Sequence, residues 1–147
     1  GMLPSGQAKK QGYAEVIYLD AAEEKFIEEV GAANFFAIYG NKLVTPKLTG
    51  SILPGITRDS VLFLAENKLG MEIEERRISI EEALKADEVF CAGTAAIISP
   101  IGSIKYQNKE YEFSEANVGI ITRQLYDILT GIQFGETEDE YGWITKL

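Results

Sequence analysis

Apolar positions change their period along the chain, and the changes mark out its elements. Tyr13 to Leu19 (YAEVIYL) is β-branched and aromatic, which predicts a strand. The polar run Asp20 to Glu24 predicts a turn. Phe26 to Gly31 follows as a short extended segment carrying adjacent carboxylates, Glu28 and Glu29. Asn34 to Tyr39 (NFFAIY) predicts a further strand, Gly40-Asn41 a hairpin turn and Lys42 to Thr45 the returning strand. Ser51 to Gly55 predicts a loop. From Thr57 to Leu69 the period lengthens. Val61, Leu62, Ala65 and Leu69 fall on one helical face, and Gly70 closes the helix. Met71 to Ile78 alternates charged and apolar residues, the pattern of a strand. Ser79-Ile80-Glu81-Glu82 is a capping box that starts a short helix at Ile80. Gln107-Asn108 marks a hairpin between Ile104–Tyr106 and Lys109–Phe113. Val118, Ile121, Leu125, Ile128, Leu129 and Ile132 make the apolar face of a last helix.

Between the short helix and that hairpin lies Val89 to Pro100, VFCAGTAAIISP. It runs apolar, then small, then apolar, which predicts two buried strands joined by a small-residue turn. A turn without bulk leaves its N–H groups open to an anion, and Thr94 adds a hydroxyl. A plain core hairpin satisfies the same pattern. Leu53-Pro54-Gly55-Ile56-Thr57 has a similar double reading. The N–H groups of Ile56 and Thr57 open a helix and suit an anion, while Thr57 also reads as an ordinary N-cap. Glu29 reads either as the partner of a protonated ring nitrogen or as one more surface carboxylate.

Strands gathered in hairpins, with two longer helices and one short one, give an α+β fold. They are not regularly separated by helices, so a doubly wound parallel sheet is not expected. The length of 147 residues suits one domain, and a hydrophobic share of 46% supports a packed core. A net charge of −9 disfavours nucleic acid and acidic membranes as partners. Cys91 is the single cysteine, so a disulfide framework is not expected and a cytoplasmic protein is. Histidine is absent, which excludes imidazole general acid–base catalysis and argues against zinc; no metal site is expected. Chemistry must come from lysine, carboxylates, hydroxyls, backbone donors or a bound cofactor. Gly1 before Met2 reads as the scar of a removed tag.

Three segments, IEEVGAANFF, SILPGITRDSV and EVFCAGTAAIISPIGSI, stand in this order over most of the chain. Together they resemble the C-terminal half of the class IV pyridoxal-phosphate aminotransferases, with the branched-chain amino-acid aminotransferases the nearest branch. The resemblance implies the C-terminal cofactor-binding domain of fold-type IV enzymes, similar to D-amino-acid aminotransferase. That is a hairpin-rich pseudo-barrel sheet with flanking helices, here one domain over residues 1–147. It implies amino-group transfer between leucine, isoleucine or valine and 2-oxoglutarate through pyridoxal 5'-phosphate. By position, Glu29 would pair with the cofactor's pyridine nitrogen and Leu53 would pack on its ring. Ile56, Thr57 and Thr94 would hold the phosphate, and Thr94 with Ala95 would meet the substrate carboxylate. The family's Schiff-base lysine falls before the matching segment, and no lysine here occupies its position. The resemblance therefore implies a C-terminal piece, inactive by itself, of an enzyme that is a homodimer when whole. Ala96 and Ser99 stand where some members carry a redox Cys-x-x-Cys pair, so that switch is not expected. D-amino-acid aminotransferases and aminodeoxychorismate lyases belong to the same family and remain alternatives, as does a non-catalytic, self-associating domain.

Overall fold

A computed structural model describes residues 17–31, 33–48, 55–93, 97–113 and 119–133; at Ile56, Ile97, Ile132 and Gln133 it describes the backbone alone. The strands are β1 (Ile17–Leu19), β2 (Ile27–Val30), β3 (Ala33–Tyr39), β4 (Lys42–Thr45), β5 (Glu72–Glu75), β6 (Glu88–Gly93), β7 (Ile97–Pro100), β8 (Ser103–Tyr106) and β9 (Lys109–Glu112). The helices are α1 (Ile56–Asn67), α2 (Ile80–Ala83) and α3 (Ile120–Gln133). The fold is α+β, as the pattern predicts. Strands β1 to β7 join in one sheet, and β8 and β9 form a separate hairpin.

Strand β3 is the hub. Phe35 to Ile38 are all buried, which the unbroken apolar run anticipates for a strand covered on both faces. Along one edge β3 pairs with β6, Asn34 opposite Ala92 and Ile38 opposite Glu88. The other edge is shared: β2 takes the start of β3 and β4 takes its end. Alternate side chains feed two cores. Phe36 and Ile38 join Phe90, Ala92, Leu43, Val61, Leu64 and Leu125, under α1 and α3. Phe35 and Ala37 join Val30, Val44, Ile78, Val89 and Ile104 on the opposite face. Phe36 and Phe90, directly opposite in the ladder, stack with ring centroids 4.8 Å apart.

Three departures from the sequence pattern have local causes. Strand β5 is four residues long, not the eight of Met71–Ile78. Beyond it the chain crosses from β4 to β2: the Arg76 N–H donates to the Thr45 carbonyl, and the Ile78 carbonyl accepts from the Ile27 N–H. Strands β4 and β5 are parallel, joined through α1 as a crossover unit inside a mainly antiparallel sheet. In β2, Tyr18 lies opposite Glu29 while Leu19 lies opposite Ile27, so Glu28 is the extra residue of a bulge. Ahead of it, the Asp20 carboxylate accepts N–H bonds from Phe26, Lys25 and Glu23, fixing the turn that delivers β2. Those bonds, chiefly from Phe26 and Lys25, pull its pKa down to about 2.

Helix α3 is locked to the sheet at its first turn. The Glu88 carboxylate accepts from the N–H groups of Ile121 and Thr122, at 3.2 and 2.9 Å, and from the Thr122 hydroxyl at 2.8 Å. These bonds satisfy helix-start donors that would otherwise be orphaned in a buried place. A Cβ on Gly119 would overlap the same carboxylate, which three bonds hold still. Gly119→Ala is therefore expected to destabilise the fold by about 1–3 kcal/mol, the usual cost of overpacking. Urea denaturation measures this; an unchanged midpoint would refute the lock.

Candidate functional site

One end of the sheet gathers most of the described residues singled out in the sequence. Glu29 in β2 lies directly opposite Asn34 in β3, and Asn34 opposite Ala92 in β6. Opposed antiparallel residues sit about 5 Å apart at Cα and project to the same face. For this row that is the face packed by α1 and α3, since Ala92 belongs to their core. Asn34 is 8% exposed and Glu29 half-buried. Their neighbours Val30 and Ala33 form the next pair, and Val30 packs into the opposite core. The bulge at Glu28 breaks the alternation one residue earlier, so simple alternation does not separate Glu28 from Glu29; the cross-strand register does.

Helix α1 starts at the same end. A Cβ on Gly55, its N-cap residue, would lie 3.0 Å from the Asn34 Oδ1 and 3.7 Å from the Arg58 Cβ. Across the sheet, a Cβ on Gly93 would lie 3.3 Å from the Ala33 Cβ. Both glycines let backbone approach the β2–β3 hairpin closely. Strand β6 thus ends at Gly93 beside the hairpin, and β7 runs back antiparallel from Ile97; the predicted small-residue turn between them, at 94–96, lies outside the described residues.

The three helix starts differ. Glu88 caps α3, and the Ser79 hydroxyl accepts from the Glu82 N–H to cap α2, as the capping box predicts. Helix α1 has Gly55 in an extended conformation (φ −112°, ψ 143°) as its N-cap residue, which makes no side-chain cap bond. A glycine N-cap provides no side-chain acceptor, so the first-turn N–H groups of Ile56 and Thr57 and the positive end of the helix dipole suit an added anion. Thr57 is half-buried there. A helix start with a glycine N-cap, a half-buried carboxylate on the same sheet end and close glycine backbones fit a ligand with an anionic group and a protonated ring nitrogen.

Leu53, Thr94 and Ala95 lie outside the described residues, and of Ile56 only the helical backbone is described. Glu29 and Thr57 come to the same end of the sheet. Sequence reasoning missed two residues there. Asn34 closes the gap between Glu29 and Gly55. Arg58 is 2% exposed, and its Nη2 donates to the Pro46 carbonyl at 3.2 Å and to Glu75 Oε2 at 2.9 Å. Its position was visible in principle, three residues before Val61 and seven before Ala65 on the apolar stripe.

The family described as amino-transferase class IV matches residues 2–104. The chain belongs to this family. This class IV aminotransferase chain is 51% identical over 148 residues to a probable branched-chain-amino-acid aminotransferase of Staphylococcus epidermidis. The match covers 97% of this chain and 41% of that protein, so the chain spans about two fifths of its relative's length. Among solved structures, the Escherichia coli branched-chain amino acid aminotransferase superposes with a TM-score of 0.85 at 37% identity, covering 97% of this chain and 44% of that one. The branched-chain amino acid aminotransferase from Thermobaculum terrenum in its PLP-form gives 0.79 at 34% identity, covering 96% and 44%. The fold is therefore that of the fold-type IV enzymes expected from the three segments. Among the described residues, no helix is long and apolar enough to cross a membrane.

The close approach at Gly55 has a measurable consequence. Its φ is ordinary, so an added methyl is opposed by contact with Asn34 and not by backbone strain. Gly55→Ala is expected to cost about 1–3 kcal/mol, as Asn34 or the start of α1 gives way. Thermal unfolding reads this; a variant as stable as the parent would show that the two elements are not in contact.

Proposed function

We propose that this chain is the cofactor-binding part of a branched-chain-amino-acid aminotransferase. The reaction is amino-group transfer between leucine, isoleucine or valine and 2-oxoglutarate, with pyridoxal 5'-phosphate as cofactor. The observation that supports this reading is that Glu29 and the glycine-capped start of α1 lie at one face of one sheet end, each beside Asn34. The names of the relatives favour the branched-chain branch over the other members of the family. When bound, the cofactor supplies the electron sink that amino-group transfer needs.

The chain's own residues then have distinct tasks. Glu29 holds a negative charge beside the ring nitrogen and keeps its proton in place. The Ile56 and Thr57 N–H groups, with the Thr57 hydroxyl, bind the phosphate at the positive end of α1, a contribution of about 0.3–1 kcal/mol from the dipole at an exposed end. Leu53 packs on the ring. Thr94 reaches the phosphate, and the Thr94–Ala95 turn meets the substrate carboxylate. The single cysteine suits the cytoplasm, and the working enzyme is a homodimer in which residues 1–147 form one cofactor-binding domain.

A chimera tests this reading. This chain is joined to the preceding segment of the Staphylococcus epidermidis relative, and glutamate formed from leucine and 2-oxoglutarate is measured with pyridoxal 5'-phosphate present. Turnover of roughly 1–10³ per second is expected. Glu29→Gln is expected to lower it about a hundredfold or more, because an amide cannot supply the charge, whereas Glu28→Gln leaves it nearly intact. A folded chimera that holds the cofactor but does not transaminate leucine would overturn the assignment. Equal losses from the two substitutions would remove Glu29 from its role.

A further inference from the structure

Arg58 is the third residue of α1 and is nearly inaccessible, at 2% exposure. Its Nη2 bonds the Pro46 carbonyl and Glu75, its Nη1 lies 3.7 Å from Asp59 Oδ1, and its Nε has no partner among the described residues. For stability alone this is a poor choice. Burying a guanidinium carries a desolvation cost that pairing only partly returns, and an apolar side chain of similar volume often does as well or better. An orphaned N–H adds to the cost. A cation in a helix's first turn also opposes the dipole.

What the arrangement does secure is position. Pro46 follows the last residue of β4, and Glu75 is the last residue of β5, paired in parallel with Thr45. Strand β4 runs antiparallel to β3, so both strands finish at the end of the sheet where β3 begins with Ala33 and Asn34. Arg58 therefore ties the first turn of α1 to two strand ends beside Glu29 and Asn34. Gly55, the N-cap residue, brings no side-chain acceptor to that turn, so the tie stands where an N-cap side chain would otherwise fix the direction of its N–H groups.

We propose that Arg58 is a positioning residue for phosphate binding: through Pro46 and Glu75 it holds the Ile56 and Thr57 N–H groups at the geometry the cofactor's phosphate requires. The inference rests on the proposed cofactor reading and deepens it. Arg58 acts through the turn and is not itself counted among the phosphate's contacts.

The test compares pyridoxamine 5'-phosphate with pyridoxamine, two probes that form no aldimine with lysine and differ by the phosphate alone. Binding of each to the 147-residue chain is measured by equilibrium dialysis, for the parent, Arg58→Met, Arg58→Lys and Glu75→Gln. The parent is expected to prefer the phosphorylated probe by roughly tenfold or more. Arg58→Met should bring that preference close to one while the affinity for pyridoxamine holds. Arg58→Lys should restore part of it. Glu75→Gln should reduce it less, and because Glu75 is half exposed that variant decides the matter if Arg58→Met does not fold. A parent with no preference for the phosphorylated probe would defeat the cofactor reading itself. A parent that shows the preference, with variants that keep it or that weaken both probes equally, would overturn the role of Arg58 alone.

Discussion

Strand β3 is the constraint on which the rest depends. It is paired along both edges and covered on both faces, so each side chain from Phe35 to Ile38 must be apolar and fit one of two cores. A buried polar group on such a strand needs partners to offset its lost hydration. Asn34 is the buried polar residue of this strand, at 8% exposure, and it stands where β2, β6 and the start of α1 meet. The interior is therefore apolar along the middle of β3 and turns polar at its ends: Glu88 and Thr122 bond each other at one, and Asn34 and Arg58 lie at the other, where a ligand can be recognised.

The two ends of this layer treat helix starts differently. At the far end, Glu88 lies opposite Ile38 and spends its carboxylate on the first turn of α3. At the near end, α1 begins with glycine, and the nearby cation, Arg58, is bound to strand ends. The first is a closed contact that fixes a helix. The second, on the proposed reading, leaves donors for an anion while Arg58 holds their backbone still, the pre-organisation that tight binding of a small charged group requires.

Much of this was legible in the sequence because its causes are local. The Gly40-Asn41 and Gln107-Asn108 turns put Gly40 at φ 58°, Gln107 at 51° and Asn108 at 64°, conformations that glycine and asparagine accept most readily. The Ser79 capping box and the Gly70 stop, at φ 64°, worked in the same way. The missed features depend on partners distant in the chain. No residue of β4 or β5 announces that they pair in parallel across α1. The bulge at Glu28 arises from register against β1. Arg58 occupies an apolar-stripe position with a charged side chain, and its burial draws on the carbonyl of Pro46 and the carboxylate of Glu75, both distant in the chain. Within the site, periodicity marked the helix start, while the small-residue turn it also predicts lies outside the described residues; the roles of Glu29, Leu53, Thr57, Thr94 and Ala95 came from resemblance. Geometry now supports bringing Glu29 and Thr57 to one end of the sheet.

The central claim is that a single ligand bridges Glu29 and the start of α1. A crystal structure of the chain soaked with pyridoxamine 5'-phosphate tests it most directly. The account predicts the phosphate on the N–H groups of Ile56 and Thr57, with the ring nitrogen within hydrogen-bond distance of the Glu29 carboxylate. Phosphate bound away from α1, or a ring nitrogen that does not meet Glu29, would contradict it.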